Sequence, residues 1–386
     1  MKKSLAHFIE TSLRSFLSYK RLVEISNRLN FPFVPPLTSS VQITLRCNSR
    51  CSYCDIWKLG KKRENCGVMC LDTLDKVFSS LRKLGVKATS LTGGEPLTRK
   101  DLNDVICSAD HYGLSVDICT NGISLTKDRA RELAETGVQC IILSLDTFDS
   151  EVYQKLRGVP FKFAKRALTS LFYITNEYPS VHTTVNCVIT RHNIGTLVRF
   201  VSQVSEYGKE KISIILQPYH RPPTFSEISR GLDPEMRKKL LECYQDISPE
   251  ELIPNHECKP IFEKEIEELV HLKEKGFPLK NSESYLRMIP DFLFDNKLPK
   301  DFNCLAGYSS VVIRYDLKVL PCWRLSPVGD LHKEELTDIW FSRRYAERRK
   351  NIKRLRCQGC MLVCHNEPSF YEFYDLIYKS QGSQGY

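Results

Sequence analysis

Short apolar runs alternate with stretches of helical periodicity through the first half of the chain. Each run has the length of a buried strand, and between the runs apolar residues recur at spacings of three and four. This alternation predicts a parallel sheet covered by helices, with functional groups at the carboxyl ends of the strands. The predicted strands are Val41–Leu45, Ala88–Leu91, Ser115–Cys119, Val138–Leu145, His182–Ile189 and Ile212–Gln217, and the predicted helices are Leu71–Leu84, Asp101–Tyr112, Lys127–Thr136, Phe163–Tyr173 and Ile194–Tyr207.

The pattern differs on both sides of this region. Residues 3–29 carry apolar side chains at helical spacing, and prolines follow at positions 32, 35 and 36. Residues 220–300 are charged, punctuated by proline and partly helical. We therefore expect four segments. They are an N-terminal helical extension over 1–40, a barrel core over 41–221, a helical linker or insertion over 222–300 and a cysteine-rich region over 301–386.

The composition is that of a globular protein with many cysteines. Of 386 residues, 42% are hydrophobic and 26% are charged. No apolar run is long enough to span a bilayer and charges interrupt the N-terminus, so we expect a cytoplasmic protein. Sixteen cysteines without an export signal favour metal ligands or catalytic thiols over disulfides. The net charge of +10 would attract anionic cofactors, acidic substrates, nucleic acid or lipid, and it does not distinguish among these partners.

Three cysteines stand directly after the first predicted strand. Cys47, Cys51 and Cys54 form a CxxxCxxC pattern on a predicted loop. Clustered thiolates suit a soft metal centre, and iron–sulfur clusters are held by cysteine. Three ligands leave one iron of a four-iron cluster open for a cofactor or substrate. A structural zinc site is the alternative, but it usually takes four protein ligands.

Further short motifs follow the next predicted strands in order. Residues 92–96 read Thr-Gly-Gly-Glu-Pro, residues 120–122 read Thr-Asn-Gly, residues 144–146 read Ser-Leu-Asp, and an Arg-Gly pair follows at 157–158. Each motif alone is an ordinary turn. Together with the cysteine triplet they resemble the radical S-adenosylmethionine superfamily, over roughly Val41 to Arg221.

This resemblance implies a partial (β/α)6 TIM-like barrel and a reaction. The three cysteines would hold a [4Fe–4S] cluster whose open iron binds S-adenosylmethionine, which is reductively cleaved to a radical that takes hydrogen from the substrate. Flavodoxin or ferredoxin is the implied reductant. No catalytic acid, base or nucleophile is assigned. The implied cofactor contacts are Tyr53 near the adenine, Gly93 and Gly94 beside the methionine portion, Glu95 near its ammonium, Asn121, Ser144 at the ribose, Arg157 at the carboxylate, and Gln217.

A second cysteine set lies near the C-terminus. Residues 310–323 predict a hairpin, and a CxxC follows it. The region resembles the SPASM or shorter twitch extension, a small α+β module with auxiliary iron–sulfur clusters. The full SPASM set has seven cysteines and this region has five, so we expect one auxiliary [4Fe–4S] cluster; a zinc ribbon is the alternative. The preferred ligands are Cys304, Cys322, Cys357 and Cys360, with Cys364 able to replace one of them.

The hairpin departs from the family at one position. Relatives usually have a glycine five residues before the second cysteine, and this chain has Leu317 there. We therefore expect a different turn geometry.

The sequence leaves the substrate open. Only about forty residues precede the barrel, less than a peptide-recognition domain of about ninety, so we favour a small-molecule substrate in a biosynthetic pathway. The alternative is a peptide-modifying enzyme that matures ribosomally made peptides. A different class would be a non-catalytic zinc- or nucleic-acid-binding protein using the basic stretch Arg343–Arg356, although a solvated helix face is the default there. The N-terminal helix is compatible with a membrane surface, but packing on the barrel is favoured.

Overall fold

A computed structural model describes residues 19–61, 67–220, 251–300, 302–354 and 360–363. Nine strands form one sheet in the order β6-β5-β4-β3-β2-β1-β7-β8-β9. The first six pair in parallel with their neighbours. The strands are β1 Thr38–Thr44, β2 Ala88–Gly93, β3 Ser115–Thr120, β4 Val138–Ser144, β5 His182–Ile189, β6 Ser213–Pro218, β7 Ser310–Ile313, β8 Lys318–Leu320 and β9 Gly329–Asp330.

Helices alternate with the parallel strands. Within the described ranges, no helix is both long and apolar enough to cross a membrane. The helices are α1 Tyr19–Leu29, α2 Ile56–Lys61, α3 Leu71–Leu84, α4 Leu102–His111, α5 Lys127–Glu135, α6 Ser150–Arg157, α7 Lys162–Glu177, α8 Leu197–Gly208, α9 Lys259–Glu274, α10 Glu283–Asp295, α11 Leu336–Phe341 and α12 Arg343–Lys353, with 3-10 turns at Pro96–Thr98 and His256–Cys258.

The two faces of the sheet differ in burial. In the interior strand β4, Ile141 and Leu143 are completely buried under the helices. Cys140, Ile142 and Ser144 point to the opposite face and are only half-buried. The main core therefore lies between sheet and helices, while the inner face stays accessible as the lumen of a partial barrel.

The C-terminal hairpin continues the barrel sheet. β7 pairs in parallel with β1, with Ser39 opposite Val311 and Val41 opposite Ile313. β8 and β9 then add antiparallel strands. The predicted hairpin is present. Because it pairs with the first barrel strand, the two cysteine regions follow strands of the same sheet.

The turn between β7 and β8 contains the unusual leucine. Leu317 has a φ of 59°, the left-handed conformation in which a glycine carries no steric penalty. The expectation that this turn differs in geometry from that of relatives stays a prediction. The leucine adopts the conformation itself, and its half-buried side chain packs against the main core.

A short segment covers the free edge of β6. Ile214 N donates to Pro278 O and Lys280 N donates to Ile214 O, both at 2.8 Å. Next to them, the fully buried Asn281 accepts from Leu216 N at 2.7 Å and donates to Leu216 O at 2.9 Å. One amide side chain thus replaces a neighbouring strand for both backbone groups of Leu216.

We expect Asn281→Ala to lower the free energy of unfolding by roughly 2 to 4 kcal/mol, because it leaves a buried donor and a buried acceptor without partners. Urea denaturation of the apoprotein measures the change. Lys280→Ala, at the exposed neighbouring position, is the matched control and should stay within about 0.5 kcal/mol of wild type. Equal stability of the two variants would contradict the assigned role.

Candidate active site

The cysteine loop between β1 and α2 is anchored to the end of α6. Arg50 N donates to Arg157 O at 3.1 Å, and Ser52 N donates to Leu156 O at 2.9 Å. The Ser49 hydroxyl also donates to Arg157 O at 2.7 Å. The last carbonyl groups of a helix have no hydrogen-bond partner within the helix. The N–H and hydroxyl donors of the loop supply those partners here.

The three thiols lie in a protected environment. Cys51 is buried, and Cys47 and Cys54 are half-buried. Ser49 N lies 3.5 Å from Cys47 Sγ and its hydroxyl lies 3.3 Å from Cys51 Sγ. Burial raises the pKa of Cys47 to about 11 and that of Cys54 to about 12, with a further contribution from the charge of Cys51. Without a metal, Cys47 and Cys54 are therefore protonated at neutral pH, and metal binding would release those protons.

Two glycines let β2 approach the start of the cysteine loop. A Cβ on Gly93 would lie 2.1 Å from Thr44 O, and one on Gly94 would lie 2.1 Å from Arg46 O. Gly93 also has a φ of +139°. The bonds from Gly94 N to Thr44 O and from Glu95 N to Arg46 O, both 2.7 Å, need this close approach. The predicted contact of both glycines with the methionine portion stays a prediction.

Glu95 is a buried carboxylate held by neutral donors. It is 1% exposed and accepts from Leu97 N at 3.0 Å, Thr120 Oγ1 at 2.7 Å and Asn121 N at 2.7 Å. Burial raises its pKa to about 7, although these hydrogen bonds oppose the shift. No salt bridge to Glu95 is found among the described residues, so the position favours a cationic ligand such as an ammonium group.

We expect the Glu95 carboxyl to make the apoprotein less stable as pH rises. Its folded-state pKa of about 7 exceeds the usual 4.5, so its stabilising contribution is complete below pH 4.5 and is lost as pH rises through 7. Relative to Glu95→Gln, wild type should lose on the order of 3 kcal/mol between these limits. Chemical denaturation across this pH range measures the difference. Glu206→Gln, at an exposed site, is the control, and a pH-independent difference for Glu95→Gln would refute the assignment.

A buried ion pair joins β4, β5 and α6. Arg157 contacts both carboxylate oxygens of Asp146, with Nε at 2.6 Å and Nη2 at 2.8 Å. Tyr53, in the cysteine loop, donates its hydroxyl to Asp146 at 2.8 Å, and Val188 N donates to it at 2.9 Å. The Tyr53 ring lies 5.3 Å from the guanidinium carbon. The predicted cofactor contacts of Tyr53 and Arg157 stay predictions. Through their bonds to Asp146, both side chains hold the cysteine loop in position.

We expect Asp146→Asn to lower the free energy of unfolding by about 3–5 kcal/mol, because it leaves the buried Arg157 charge without its counter-ion. Urea denaturation of the apoprotein measures this loss. Asp128→Asn is the matched control, since Asp128 pairs with Arg131 at 3.2 Å on the surface, and its effect should stay below about 1 kcal/mol. Similar losses in both variants would be the contrary result.

The remaining predicted contacts lie at the same end of the sheet. Asn121 donates through Nδ2 to Asn48 Oδ1 at 2.9 Å and lies 3.9 Å from Cys47 Sγ. Ser144 is half-buried at the end of β4, opposite Asn186 of β5. The Oδ1 atom of Asn186 is buried and has no hydrogen-bond partner. Gln217 lies next to Val188 near the end of β6. Asn186 therefore offers an unused acceptor to a hydroxyl or amino group.

In the C-terminal region, three of the predicted ligands are buried. Cys304 and Cys322 pack in one cluster with Ala306 and Ile352. Cys360 is buried in the main core cluster, and Leu362, two residues later, packs against both clusters. The predicted ligands Cys357 and Cys364 lie outside the described residues.

The described residues fit an iron–sulfur cluster and S-adenosylmethionine. In the described parts of the chain, no three His, Cys, Asp or Glu side chains are close enough to hold one metal ion. Three thiols share one loop, a buried carboxylate lacks a cation, and Asn186 has an unused acceptor. A multi-iron cluster with an amino-acid-containing cofactor meets all three conditions.

Sequence comparison matches two domains. The chain matches the Radical SAM superfamily over residues 41–202 and the SPASM iron-sulfur cluster-binding domain over residues 304–361. A PqqA peptide cyclase of Streptomyces rochei is 32% identical over 189 residues, covering 48% of this chain and 49% of that protein. The chain thus spans about half the length of this curated relative.

Solved structures share the fold. SuiB of Streptococcus suis aligns at 16% identity with a TM-score of 0.59, over 90% of this chain and 76% of SuiB. The structure of anSMEcpe with bound AdoMet aligns at 18% identity with a TM-score of 0.54, over 90% of this chain and 93% of anSMEcpe. SuiB has also been solved with S-adenosylmethionine and with its precursor peptide SuiA.

The parallel sheet, the cysteine loop at its carboxyl edge and the matched domains define the class as radical S-adenosylmethionine enzymes. The SPASM match at residues 304–361 adds a C-terminal iron-sulfur cluster-binding domain to the Radical SAM match. The predicted fold and enzyme class are confirmed, which sets aside the non-catalytic alternative. The cofactors are S-adenosylmethionine with a [4Fe–4S] cluster, and auxiliary iron–sulfur in the SPASM region.

Several residues of the site were not predicted from the sequence. Asp146 was recognised only as the last residue of the Ser-Leu-Asp motif, although it is the acidic partner of the buried ion pair. Asn186 lies inside an apolar strand pattern and carried no signal. Arg99 donates to Ile43 O at 2.9 Å and Met69 O at 2.7 Å behind the cysteine loop. Its position three residues after the Gly-Gly-Glu-Pro motif was the only available hint.

Proposed function

We propose that this radical S-adenosylmethionine enzyme modifies a ribosomally made peptide. The observation that carries the proposal is the 32% identity to a PqqA peptide cyclase, in a chain that also has a SPASM region. This replaces the small-molecule substrate that we favoured from the short N-terminal segment. Because the likeness covers about half of each chain, the peptide substrate is an inference.

The site geometry supports the following proposed roles. Cys47, Cys51 and Cys54 hold the cluster, and Glu95 receives the cofactor ammonium. Together, cluster and cofactor supply reductive cleavage and hydrogen abstraction. The bonds from α6 hold the loop in place, and partial burial of the cysteines limits access of water. A low-potential electron donor of the flavodoxin or ferredoxin type supplies the electron.

The auxiliary site uses the second cysteine set. Cys304, Cys322 and Cys360 supply three thiolates, and Cys357 or Cys364 supplies the fourth. The packing of Cys304 and Cys322 in one cluster supports their assignment as ligands of one site.

We expect Cys51→Ala to abolish formation of deoxyadenosine from S-adenosylmethionine in the presence of dithionite, because one cluster ligand is lost. Anaerobically reconstituted wild-type protein should be brown and active. Iron and sulfide quantification and chromatography of deoxyadenosine measure the two effects. The control is Cys70→Ala, since Cys70 is an exposed free cysteine, and it should keep both iron and activity. Full cleavage by Cys51→Ala would refute the site.

The substrate is tested separately with short peptides encoded beside the gene. Incubation with enzyme, cofactor and reductant should give a peptide of altered mass, and Cys51→Ala should give none. If no such peptide changes while a small metabolite is consumed with deoxyadenosine formation, the peptide proposal fails and the enzyme class still stands.

A further inference from the structure

The inner face of the barrel sheet is mostly small and polar. Closed barrels fill this space with bulky branched side chains. On β3–β6 the larger apolar side chains that face inward are Ile142, Val188 and Ile215. The polar and thiol side chains that face inward on these strands are Ser115, Asp117, Cys119, Cys140, Ser144, His182, Thr184, Asn186, Ser213 and Gln217. Most of them keep accessible surface, so the lumen has room for a polar ligand.

Asp117 is the only carboxylate on the inner face of β1–β6. Its neighbours in the sheet are Ser90 on β2 and Cys140 on β4. Within the described residues, no hydrogen bond or ion pair to its carboxylate is found. The carboxylate oxygens are not fully buried, so they face open space in the lumen. Burial raises the pKa of Asp117 to about 7. A cation that binds here would offset the cost of desolvating the carboxylate.

Asp117 lies deeper in the barrel than the proposed cofactor site. Thr120, three residues further along β3, donates to Glu95, the proposed receptor of the cofactor ammonium. At the rise of an extended strand, three residues correspond to roughly 10 Å. Cys119 lies between the two carboxylates. Burial first, and then the charges of Asp117 and Glu95, raise the pKa of Cys119 to about 11. The two carboxylates therefore serve different depths of the same lumen.

We propose that Asp117 binds a cationic group of the substrate inside the lumen, namely the lysine or arginine side chain of a peptide. The peptide part of this proposal rests on the proposed function. Lysine and arginine carry their charge at the end of a long apolar stem. Such a side chain reaches from the level of the cofactor down to Asp117, and the ion pair fixes how deep the substrate sits. An amine-bearing small molecule offers the same chemistry, and the experiment separates the two sources.

The first arm of the test changes the carboxylate in the reconstituted full chain. With the peptide whose mass the enzyme alters, Asp117→Asn should lower kcat/KM at least about thirtyfold, because a desolvated ion pair is lost. Peptide-free formation of deoxyadenosine is measured alongside, and the fall in kcat/KM should exceed any change in it by that factor. The variant should keep the fold, since Asp117 has no hydrogen-bond partner to lose among the described residues. Asp110→Asn, at an exposed position of α4, is the matched control and should keep the wild-type kcat/KM.

The second arm changes the peptide, so it does not depend on the folding of an enzyme variant. Each lysine or arginine of the peptide is replaced by glutamine, one at a time. One replacement should reproduce the loss with wild-type enzyme and should have little further effect with Asp117→Asn, because both changes remove the same contact. Additive losses, a wild-type kcat/KM for Asp117→Asn, or a modified peptide without lysine and arginine would overturn the proposal.

The proposed function and the cation site fail in different ways. If no peptide changes and a small metabolite is consumed, the peptide function fails, and the same enzyme variants are assayed with that metabolite. A substrate that carries an amine and loses about thirtyfold in kcat/KM with Asp117→Asn supports the cation site. A neutral or anionic substrate, or an amine that the variant turns over as well as wild type does, overturns it.

Discussion

The buried pair of Asp146 and Arg157 is the interaction on which the proposed active site depends. It connects the ends of β4 and β5 to α6, and the last carbonyls of α6 then hold the backbone of the cysteine loop. Two desolvated charges are tolerable only when each is fully engaged, so neither can move independently. Contacts within the protein therefore fix the path of the cysteine loop before any metal binds. Tyr53 adds a bond from within the loop itself.

A second constraint is the continuous sheet that joins the two cysteine regions. β1 runs directly into the first cysteine loop, and its neighbour β7 leads through β8 to Cys322. Helix α11 packs against α3 of the barrel and reinforces the junction. The backbone hydrogen bonds between β1, β7 and β8 thus fix the distance between the two proposed clusters. The barrel strands and the C-terminal hairpin therefore belong to one continuous sheet.

Local pattern predicted the barrel strands well, because each is a short apolar run between turn residues. His182–Ile189 agrees at both ends, and Leu71–Leu84 does so among the helices. The partner of β7 was not predictable, since pairing depends on contacts between residues distant in sequence. The conformation of Leu317 was not predictable because a hydrophobic residue rarely adopts a positive φ, and here core packing of its side chain accompanies that conformation. Asp146 was undervalued because its partners lie on other elements.

The pairing of β7 with β1 also has a consequence for solubility. Without the hairpin, β1 would be an edge strand with a row of unsatisfied N–H and C=O groups. Such an edge can recruit strands from other molecules through its unpaired backbone groups. A chain that ends near residue 300 would therefore expose β1, the strand that leads into the cysteine loop, as an unpaired edge strand. The SPASM region thus covers the edge of β1 in addition to carrying its own cysteines.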